Sequence, residues 1–379
     1  MTLFERWDAL LAQLHTAGRR RRLLKPCGVD FSSNDYLGFG KEMSDALVAD
    51  RFPRSGMASR LLRGHHAIWE ELEADLAQWH GAETALLFTS GYVANEGLLS
   101  ALLEPHDWVA SDQLNHASII DGIRLSRADR FVFRHNDLNY LESGLQIAAS
   151  TRARDRQLFV VTESLFGMEG DRAPLASLVE LAQRYQAHLI VDEAHATGCF
   201  GPKGSGLVDE AGLRRQVLAS VHTGGKALGL PGAYVCGPAM LREVMINRCR
   251  HFMFTTALPP AVGAWWLESL PRIQAADDRR HKLHQAAAQF RSELARHDLD
   301  AAGTDYIVPI VLGGEDHAVQ AAAMLQRAGW DIRAIRPPTV PDGTSRLRLS
   351  LHADHEPDVL TAVAAAVADA LGPVAARVP

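Results

Sequence analysis

The sequence predicts an α/β protein with a mostly parallel central sheet flanked by helices, followed by a smaller α+β domain. The clearest observation is a βαβ pattern, in which apolar runs at 158–162 and 188–191 flank an amphipathic stretch at 175–186. Strands joined through such a helix are parallel, because the chain must cross back over the sheet. A second observation is the strand–turn–helix pattern at 84–103, and a third is the set of short strands and helices that follows Pro271.

Length and composition indicate two domains of ordinary globular type. The chain has 379 residues, of which 47% are hydrophobic and 22% charged, and it is too long for one small core. We assign 1–45 to an N-terminal helix and arm, 46–265 to the large domain and 266–379 to the small domain. The formal net charge of -6 provides no basic field that would favour nucleic acid as a partner.

Cysteine usage and the N-terminal stretch favour a cytoplasmic protein. Cys27, Cys199, Cys236 and Cys249 share no CxxC or Cys/His spacing, so we expect neither a disulfide frame nor a metal site. The first residues lack the apolar run of a secretory signal, and no stretch approaches the ~20 apolar residues that span a membrane.

The N-terminal region combines a predicted helix with a basic run. Apolar residues recur with helical spacing across 3–14, and four consecutive arginines, Arg19 to Arg22, follow. Such a run is either a solvated surface or a grip for a polyanion such as the phosphates of coenzyme A. An extended segment at 31–38 then leads into turn residues.

The turn after the predicted strand at 84–88 is a candidate phosphate cradle. It reads Thr89-Ser90-Gly91-Tyr92 and leads into a helix that we expect from about 93 to 103. A strand, a Ser-Gly turn and a helix N-terminus offer free N–H groups and the positive end of the helix dipole to an anion. An ordinary strand–helix turn explains the same residues, and this stretch alone does not separate the two interpretations.

Three further polar residues follow predicted strands. His116 comes after the strand-like run 108–110, and Asp192 and His195 come directly after 188–191. Ligands bind at the carboxyl ends of the strands in open parallel sheets, so we expect Asp192 and His195 at that edge. A lone histidine after a strand can equally be structural, and a carboxylate there can cap a helix.

A lysine stands in the loop after the next apolar run, 217–221. This loop reads His222-Thr223-Gly224-Gly225-Lys226. Small residues let the backbone approach a ligand closely, and a lysine amine in such a setting suits a Schiff base with a flat cofactor. A lysine in a flexible glycine turn is the alternative. The position after a strand places Lys226 at the same edge as Asp192.

The region beyond Pro271 forms the small domain. Pro271 interrupts a helical stretch at 261–297, and predicted strands at 306–311, 331–335 and 346–350 alternate with a helix ending near 328 and a final helix. Arg346 and Arg348 are two residues apart in one predicted strand, so they share a face and alternation cannot separate their roles.

The motifs, in this order along the chain, resemble those of the fold-type I pyridoxal phosphate enzymes, and within them the α-oxoamine synthases. The resemblance runs from about Phe31 to the last helix. The matching motifs are Asn34-Asp-Tyr-Leu-Gly38, Ser90-Gly-Tyr-Val-Ala-Asn95, Asn115-His-Ala-Ser118, Gly167-Met-Glu-Gly-Asp-Arg-Ala-Pro-Leu175, Val191-Asp-Glu-Ala-His-Ala-Thr-Gly198, Thr223-Gly-Gly-Lys226 and Arg336-Pro-Pro-Thr-Val-Pro341.

The resemblance implies pyridoxal 5'-phosphate (PLP) as cofactor and a role for each matching residue. Lys226 would carry the Schiff base and act as the base for the substrate α-proton, and Asp192 would pair with the pyridine nitrogen. His195 would bond the phenolic oxygen of the cofactor, and His116 would stack on its ring. The resemblance places the amides of Gly91 and Tyr92, with Thr223, at the phosphate, and His116, Asn34, Thr339 and Arg348 at the substrates. It also places an arginine of the run Arg19 to Arg22 at the acyl-coenzyme A, with Arg19 and Arg20 as the candidates and the register within the run left open.

The resemblance further implies a homodimeric C-acyltransferase. The segment 336–341 is similar to the branch that condenses L-alanine with a pimeloyl thioester of coenzyme A or a carrier protein, releasing carbon dioxide. Other family members such as glycine C-acetyltransferase, a simple aminotransferase and a non-catalytic subunit of the same fold are the alternatives. Two positions depart from the pattern. Gly167 stands where the family usually has serine, with Ser164 as a possible substitute, and Gly56-Met-Ala-Ser59 replaces a more glycine-rich loop.

Overall fold

The computed structural model describes residues 1–42, 51–151 and 155–372. Its strands within these ranges are β1 (Val29–Asp30), β2 (Thr84–Phe88), β3 (Trp108–Asp112), β4 (Asp129–Phe133), β5 (Leu158–Glu163), β6 (Ala187–Asp192), β7 (Val217–Thr223), β8 (Ala233–Gly237), β9 (Ile307–Gly313), β10 (Trp330–Asp331), β11 (Arg333–Ile335) and β12 (Ser345–Ser350). The helices there are α1 (Leu3–Thr16), α2 (Ala67–His80), α3 (Gly91–Leu102), α4 (Ala117–Ser126), α5 (Leu138–Ser150), α6 (Leu175–Arg184), α7 (Leu207–Glu210), α8 (Ala239–Arg248), α9 (Arg250–Met253), α10 (Pro260–Gln274), α11 (Asp277–Arg296), α12 (Glu315–Arg327) and α13 (Pro357–Leu371).

Contacts divide the chain into two compact units. The sheet unit comprises Leu37–Phe166 and Arg172–Arg280. The terminal unit comprises Met1–Tyr36, Gly167–Asp171 and the described part of His281–Pro379.

The sheet unit is built on a central sheet whose described strands run in the order β2-β8-β7-β6-β5-β3-β4. All neighbours are parallel except β8, which runs antiparallel to both β2 and β7. Strands β5 and β6 pair from Leu158↔Ala187 to Glu163↔Asp192, and α6 lies between them in the chain. The prediction of a mostly parallel sheet with a βαβ unit is therefore confirmed.

The core of the sheet unit forms because the central strands are apolar on both faces. Every residue of β3 and of β5 is buried, as in parallel strands that are covered by helices on each side. Side chains of α3, α8 and α9 complete this core. Its members include Phe88, Leu98, Val109, Val161, Ile190, Val221, Met245 and Phe252.

The terminal unit contains the predicted small α+β domain together with the N-terminal segment. Strands β11, β12 and β9 form an antiparallel sheet in that order, and β1 pairs in parallel with β10. The predicted strand at 331–335 is split, because the amide of Ile332 bonds the Trp330 carbonyl at 2.9 Å and turns the chain there. The predicted N-terminal helix is α1, in which no residue is buried.

The contact-based division differs from the predicted domain boundaries. Helix α10 continues through Pro271 to Gln274, and its Trp266 is fully buried, with Nε1 donating to the Pro231 carbonyl at 2.8 Å. These contacts keep α10 in the sheet unit, so the division falls after Arg280 and not between residues 265 and 266. The predicted boundary at 45/46 lies outside the described residues. In the described part of the chain, no helix combines the length and apolar character needed to cross a membrane.

Candidate active site

Asp192 ends β6 with both carboxylate oxygens held by donors. Asn95 Nδ2 donates to Asp192 Oδ2 at 2.6 Å, and the Ala194 amide donates to Oδ1 at 2.8 Å. The residue is 5% exposed. A buried carboxylate with a hydrogen bond on each oxygen stays in one orientation, and each oxygen keeps a free lone pair for a further donor. The alternative role of Asp192, a helix cap, is not what these contacts show.

Asn95 connects Asp192 to His116 through Ser118. The second hydrogen of Asn95 Nδ2 bonds Ser118 Oγ at 3.1 Å, which leaves the Ser118 hydroxyl to donate to His116 Nδ1 at 2.8 Å. His116 Nδ1 is therefore an acceptor, and a neutral ring carries its hydrogen on Nε2. The His116 amide is held in turn by Glu163 Oε1 at 2.7 Å. The sequence alone indicates no role for Asn95 or Ser118, although both lie within the quoted motifs.

His116 caps α4 and leaves its ring accessible. The residue is exposed, yet loss of water around the inner part of its ring lowers its pKa. The Asp192 carboxylate opposes this lowering and the Lys226 cation adds to it. Both charges therefore act on the same imidazole, which shows that the structure brings His116, Asp192 and Lys226 together. An accessible ring at this edge of the sheet suits stacking on a flat ligand.

The first turn of α3 and the end of β7 form the predicted anion cradle. Ser90 Oγ accepts from the Val93 amide at 3.3 Å and so caps the helix. The first amides of a helix have no acceptor within it, which leaves those of Gly91 and Tyr92 for a ligand. A Cβ placed on Gly91 would come within 3.5 Å of the Thr223 hydroxyl. Glycine therefore keeps open the space between the helix N-terminus and Thr223.

Tyr92 contributes to this cradle through its backbone. Its hydroxyl donates to Asp121 on α4, and its ring lies edge-on to His116 with centroids 6.0 Å apart. The phenol is thus occupied by a carboxylate and is not a phosphate donor in this arrangement. The predicted role of Tyr92 at the phosphate is confined to its amide.

Lys226 and His195 lie at the same edge of the sheet. Lys226 is half-buried in the loop three residues after β7, and His195 is 7% exposed in the turn after β6. The register pairs Asp192 with Val221, so β6 and β7 end side by side. The sequence-predicted group of Lys226, Asp192, His195, Thr223 and Gly91 is thereby assembled from separate loops.

Arg348 and Arg346 share one face of β12 in the terminal unit, but their partners differ. Arg348 is 6% exposed and donates to the Gly167 carbonyl at 2.5 Å, Ser350 Oγ at 2.8 Å and Asn34 Oδ1 at 3.0 Å. All of its hydrogen-bond partners among the described residues are neutral. Arg346 instead pairs with the Glu169 carboxylate at 3.1 Å. Arg348 is therefore the arginine whose charge suits an anionic ligand.

Asn34 supports Arg348. Its Oδ1 accepts from both Arg348 Nη2 and the Tyr36 hydroxyl, each at 3.0 Å. Gly167, where the family usually has serine, offers its carbonyl to the same arginine. The suggested substitute Ser164 lies in the sheet unit beside Glu193, where burial raises the pKa of the Glu193 carboxyl and Ser164 opposes that rise. Nothing in these contacts gives Ser164 the role of the missing serine.

The arginine run has one member beside Thr339. Arg21 Nη2 donates to Thr339 Oγ1 at 2.9 Å, whereas Arg19 is taken up by Glu315 at 2.6 Å and by Asp342 at 2.5 Å. Arg20 is exposed. Within the run, the geometry therefore favours Arg21 as a substrate contact over the predicted Arg19 and Arg20, because two carboxylates already neutralise Arg19.

The donor set at the sheet edge fits pyridoxal phosphate. Helix amides and the Thr223 hydroxyl suit a phosphate, the open space at Gly91 admits it, and the fixed Asp192 carboxylate suits a protonated pyridine nitrogen. An amine for the aldehyde carbon is present in Lys226.

A family model described as aminotransferase class I and II matches residues 27–367. The chain belongs to the aminotransferase class I and II family. A relative from Anaeromyxobacter dehalogenans, named 8-amino-7-oxononanoate synthase, is 46% identical over 357 residues, covering 92% of this chain and 88% of that protein.

Two solved structures resemble most of the chain. A serine palmitoyltransferase from S. paucimobilis with a bound PLP–myriocin aldimine has a TM-score of 0.88 and 28% identity, covering 98% of each chain. An 8-amino-7-oxononanoate synthase from Francisella tularensis has a TM-score of 0.77 and 27% identity, covering 90% of this chain and 97% of that one. The predicted fold class is confirmed.

Proposed function

We propose that this protein is an 8-amino-7-oxononanoate synthase of biotin biosynthesis. It condenses L-alanine with a pimeloyl thioester and releases carbon dioxide and the free carrier. The observation that carries the proposal is the assembly of Lys226, Asp192 and His116 at one sheet edge, in a chain 46% identical to a synthase of that name. The carrier is coenzyme A or a carrier protein.

Pyridoxal 5'-phosphate, when bound, supplies the electron sink that makes the α-carbon of the amino acid acidic. Thr223 and the amides of Gly91 and Tyr92 hold the phosphate. Asp192 keeps a proton on the pyridine nitrogen, which is possible because Asn95 and Ala194 hold the carboxylate in place. His195 bonds the phenolic oxygen, and His116 covers the ring and excludes water from it.

Lys226 has two roles, the covalent bond to the cofactor and the transfer of the proton at the substrate α-carbon. Its amine would hold the cofactor covalently, and as a free amine it would remove the proton from the substrate α-carbon. The same amine returns a proton after carbon dioxide leaves. Its position three residues after Thr223, the last residue of β7, keeps it beside Asp192 and His116.

Arg348 binds the carboxylate of alanine. Among the described residues, all hydrogen-bond partners of its guanidinium are neutral, so its positive charge is not paired with a carboxylate there. Arg21 and Thr339 contact the acyl substrate. The active form is a homodimer. A cytoplasmic location, which rests on the cysteine usage, remains part of this proposal.

A substrate screen tests the function. Alanine, glycine and serine are each paired with acetyl-, pimeloyl- and palmitoyl-coenzyme A, with a Lys226→Ala variant as the inactive control. We expect turnover with alanine and pimeloyl-coenzyme A to exceed every other pair by at least about tenfold in kcat/KM. A preference for glycine with the acetyl donor would move the assignment to glycine C-acetyltransferase, and one for serine with palmitoyl would move it to serine palmitoyltransferase.

The loop at Met57 is the sequence feature that would go with a preference for glycine as the amino-acid substrate. Met57 is 63% exposed and has φ of 60°, a conformation that favours glycine. The backbone of the loop has a glycine-type turn although the sequence has methionine. The departure from the glycine-rich loop is the sequence feature that weighs against alanine, and the substrate screen decides between the two amino acids.

A further inference from the structure

His222 lies inside β7, directly before Thr223, and both of its ring nitrogens meet hydroxyl groups. Thr197 Oγ1 is 2.7 Å from His222 Nδ1, and Ser220 Oγ is 2.8 Å from Nε2. The side chain is fully buried. None of the roles assigned above uses this histidine.

Counting hydrogens assigns the tautomer. Thr197 Oγ1 donates its single hydrogen to the Glu193 carbonyl at 2.8 Å, so it can only accept from His222 Nδ1. His222 Nε2 then accepts from the Ser220 hydroxyl. If the ring hydrogen were on Nε2 instead, Nε2 would donate to Ser220 Oγ. The hydrogen of the Ser220 hydroxyl would then have no acceptor among the hydrogen bonds found in the described residues. A neutral ring with the hydrogen on Nδ1 satisfies all of these bonds together, and this is the tautomer that we infer.

Two aromatic rings hold the imidazole in plane. His80 stacks on one side with ring centroids 3.9 Å apart, and Tyr234 stacks with centroids 4.9 Å apart and an interplanar angle of 16°. Burial and the neighbouring His80 set the pKa of His222 well below the usual value. Cys236 lies nearby, but both nitrogens of His222 are already occupied, so we interpret the group as a hydrogen-bonded cluster.

The Thr197–His222 bond joins the two segments that carry the cofactor residues. Thr197 lies two residues after His195 in the loop that follows β6, and its amide and hydroxyl both bond the Glu193 carbonyl. His222 lies one residue before Thr223 and four before Lys226. Backbone pairing between β6 and β7 ends at Asp192↔Val221, so beyond that point this side-chain bond continues the connection.

We propose that His222, as the neutral Nδ1–H tautomer, is a positioning residue that holds the loop of His195 against the strand of Thr223 and Lys226. It touches neither cofactor nor substrate. Its effect is to keep His195, which faces the phenolic oxygen of the cofactor, and Thr223, which faces the phosphate, at a set separation. The inference rests on the proposed cofactor site and adds a residue to it.

The tautomer is tested first in the unaltered protein. The ring nitrogens of ¹⁵N-histidine-labelled protein are observed by NMR, and a His222→Asn variant identifies the His222 signals. We expect a protonated Nδ1 and an unprotonated Nε2. Protonation on Nε2 would reverse the hydrogen-bond chain and overturn the assignment. This measurement needs no cofactor.

The positioning role is tested with Thr197→Val, which removes the acceptor with little change of volume, and Ser220→Ala as matched control on the other nitrogen. We expect Thr197→Val to raise the Kd for PLP by about tenfold, to shift the pH midpoint of the bound-cofactor absorbance, and to move the His222 hydrogen to Nε2. Ser220→Ala should leave the Kd for PLP within about twofold of that of the unaltered protein, and the pH midpoint within about 0.2 pH units.

The outcomes separate this inference from the proposed function. Failure of the unaltered protein to bind PLP would remove the proposed function and the positioning role with it. Normal binding by both the unaltered protein and Thr197→Val would remove the positioning role alone. Equal defects in the two variants would show a general packing effect and would also overturn it.

Discussion

Asn95 Nδ2 donates to Asp192 Oδ2 at 2.6 Å, from the second turn of α3 to the end of β6. The same amide group bonds Ser118, which bonds His116. One asparagine therefore orients the carboxylate meant for the pyridine nitrogen and, through a hydroxyl, the imidazole meant for the ring face. Residues supplied by three different elements act as one hydrogen-bonded unit.

Asp192→Asn tests the electrostatic role. Both oxygens of Asp192 accept from fixed donors, Asn95 and the Ala194 amide, so a carboxamide would leave one donor facing an NH₂ group. It would also remove the charge that keeps the pyridine nitrogen protonated. We expect kcat to fall by about 10²-fold or more, measured under saturating cofactor. Turnover near that of the unaltered enzyme, with PLP bound, would contradict the role.

Lys226 is predicted to be the residue that bonds the cofactor. The purified protein with PLP should absorb visible light, and borohydride should convert the linkage to a stable adduct. Peptide mapping by mass spectrometry should place the adduct on Lys226. Lys226→Ala should fold but lose the adduct and overall turnover, whereas the exposed Lys282→Ala should retain both. An adduct on another lysine would refute the assignment.

Arg348→Lys should raise the KM for alanine by at least about tenfold, some 1.4 kcal/mol. A guanidinium binds a carboxylate through two parallel hydrogen bonds, which an ammonium cannot reproduce. The KM for the acyl thioester and the absorbance of the bound cofactor should change little.

Arg346→Lys is the matched control on the same face of β12. Arg346 is already paired with Glu169, so its replacement should lower the free energy of unfolding. The KM for alanine should change far less than in Arg348→Lys. A large alanine defect in Arg346→Lys with none in Arg348→Lys would mean that the register along this strand is wrong by two residues.

Glu193 gives the stability of the protein a defined pH dependence. Its side chain is buried and accepts from the amides of Leu207 and Val208 at 2.8 and 3.1 Å. Burial raises its pKa from 4.5 to about 7, although these bonds oppose the rise. Between those values the folded state holds a proton that the unfolded state has lost, so this contribution to stability is present at low pH and declines as pH rises.

Glu193→Gln should remove that decline. We expect the variant to gain stability relative to the unaltered protein between about pH 5 and about pH 8, measured by urea unfolding at each pH. Glu180→Gln, on the exposed face of α6, should show no such trend. Parallel pH curves for the unaltered protein and Glu193→Gln would show that Glu193 does not titrate in this range.

Several elements could be predicted because their signals are local. The buried strands, the βαβ unit and the turn after β2 are each encoded in one short stretch by apolar runs and small residues. Pro271 was misleading, since the helix continues past it. The burial of Trp266 against Pro231 and Tyr234 stabilises the helix there, and that contact joins residues distant in the chain.

The sequence by itself determined the fold class, the family motifs and the identity of Lys226, Asp192, His195 and His116 as candidates. These follow from residue type and order, which the chain states directly. Only the tertiary structure decided that Arg348 has neutral partners within the described part of the chain while Arg346 has Glu169, that Arg21 meets Thr339, and that Asn95 holds Asp192. The physical reason is that a charge or a hydrogen bond is defined by its partner, and these partners lie between 97 and 318 residues away along the chain.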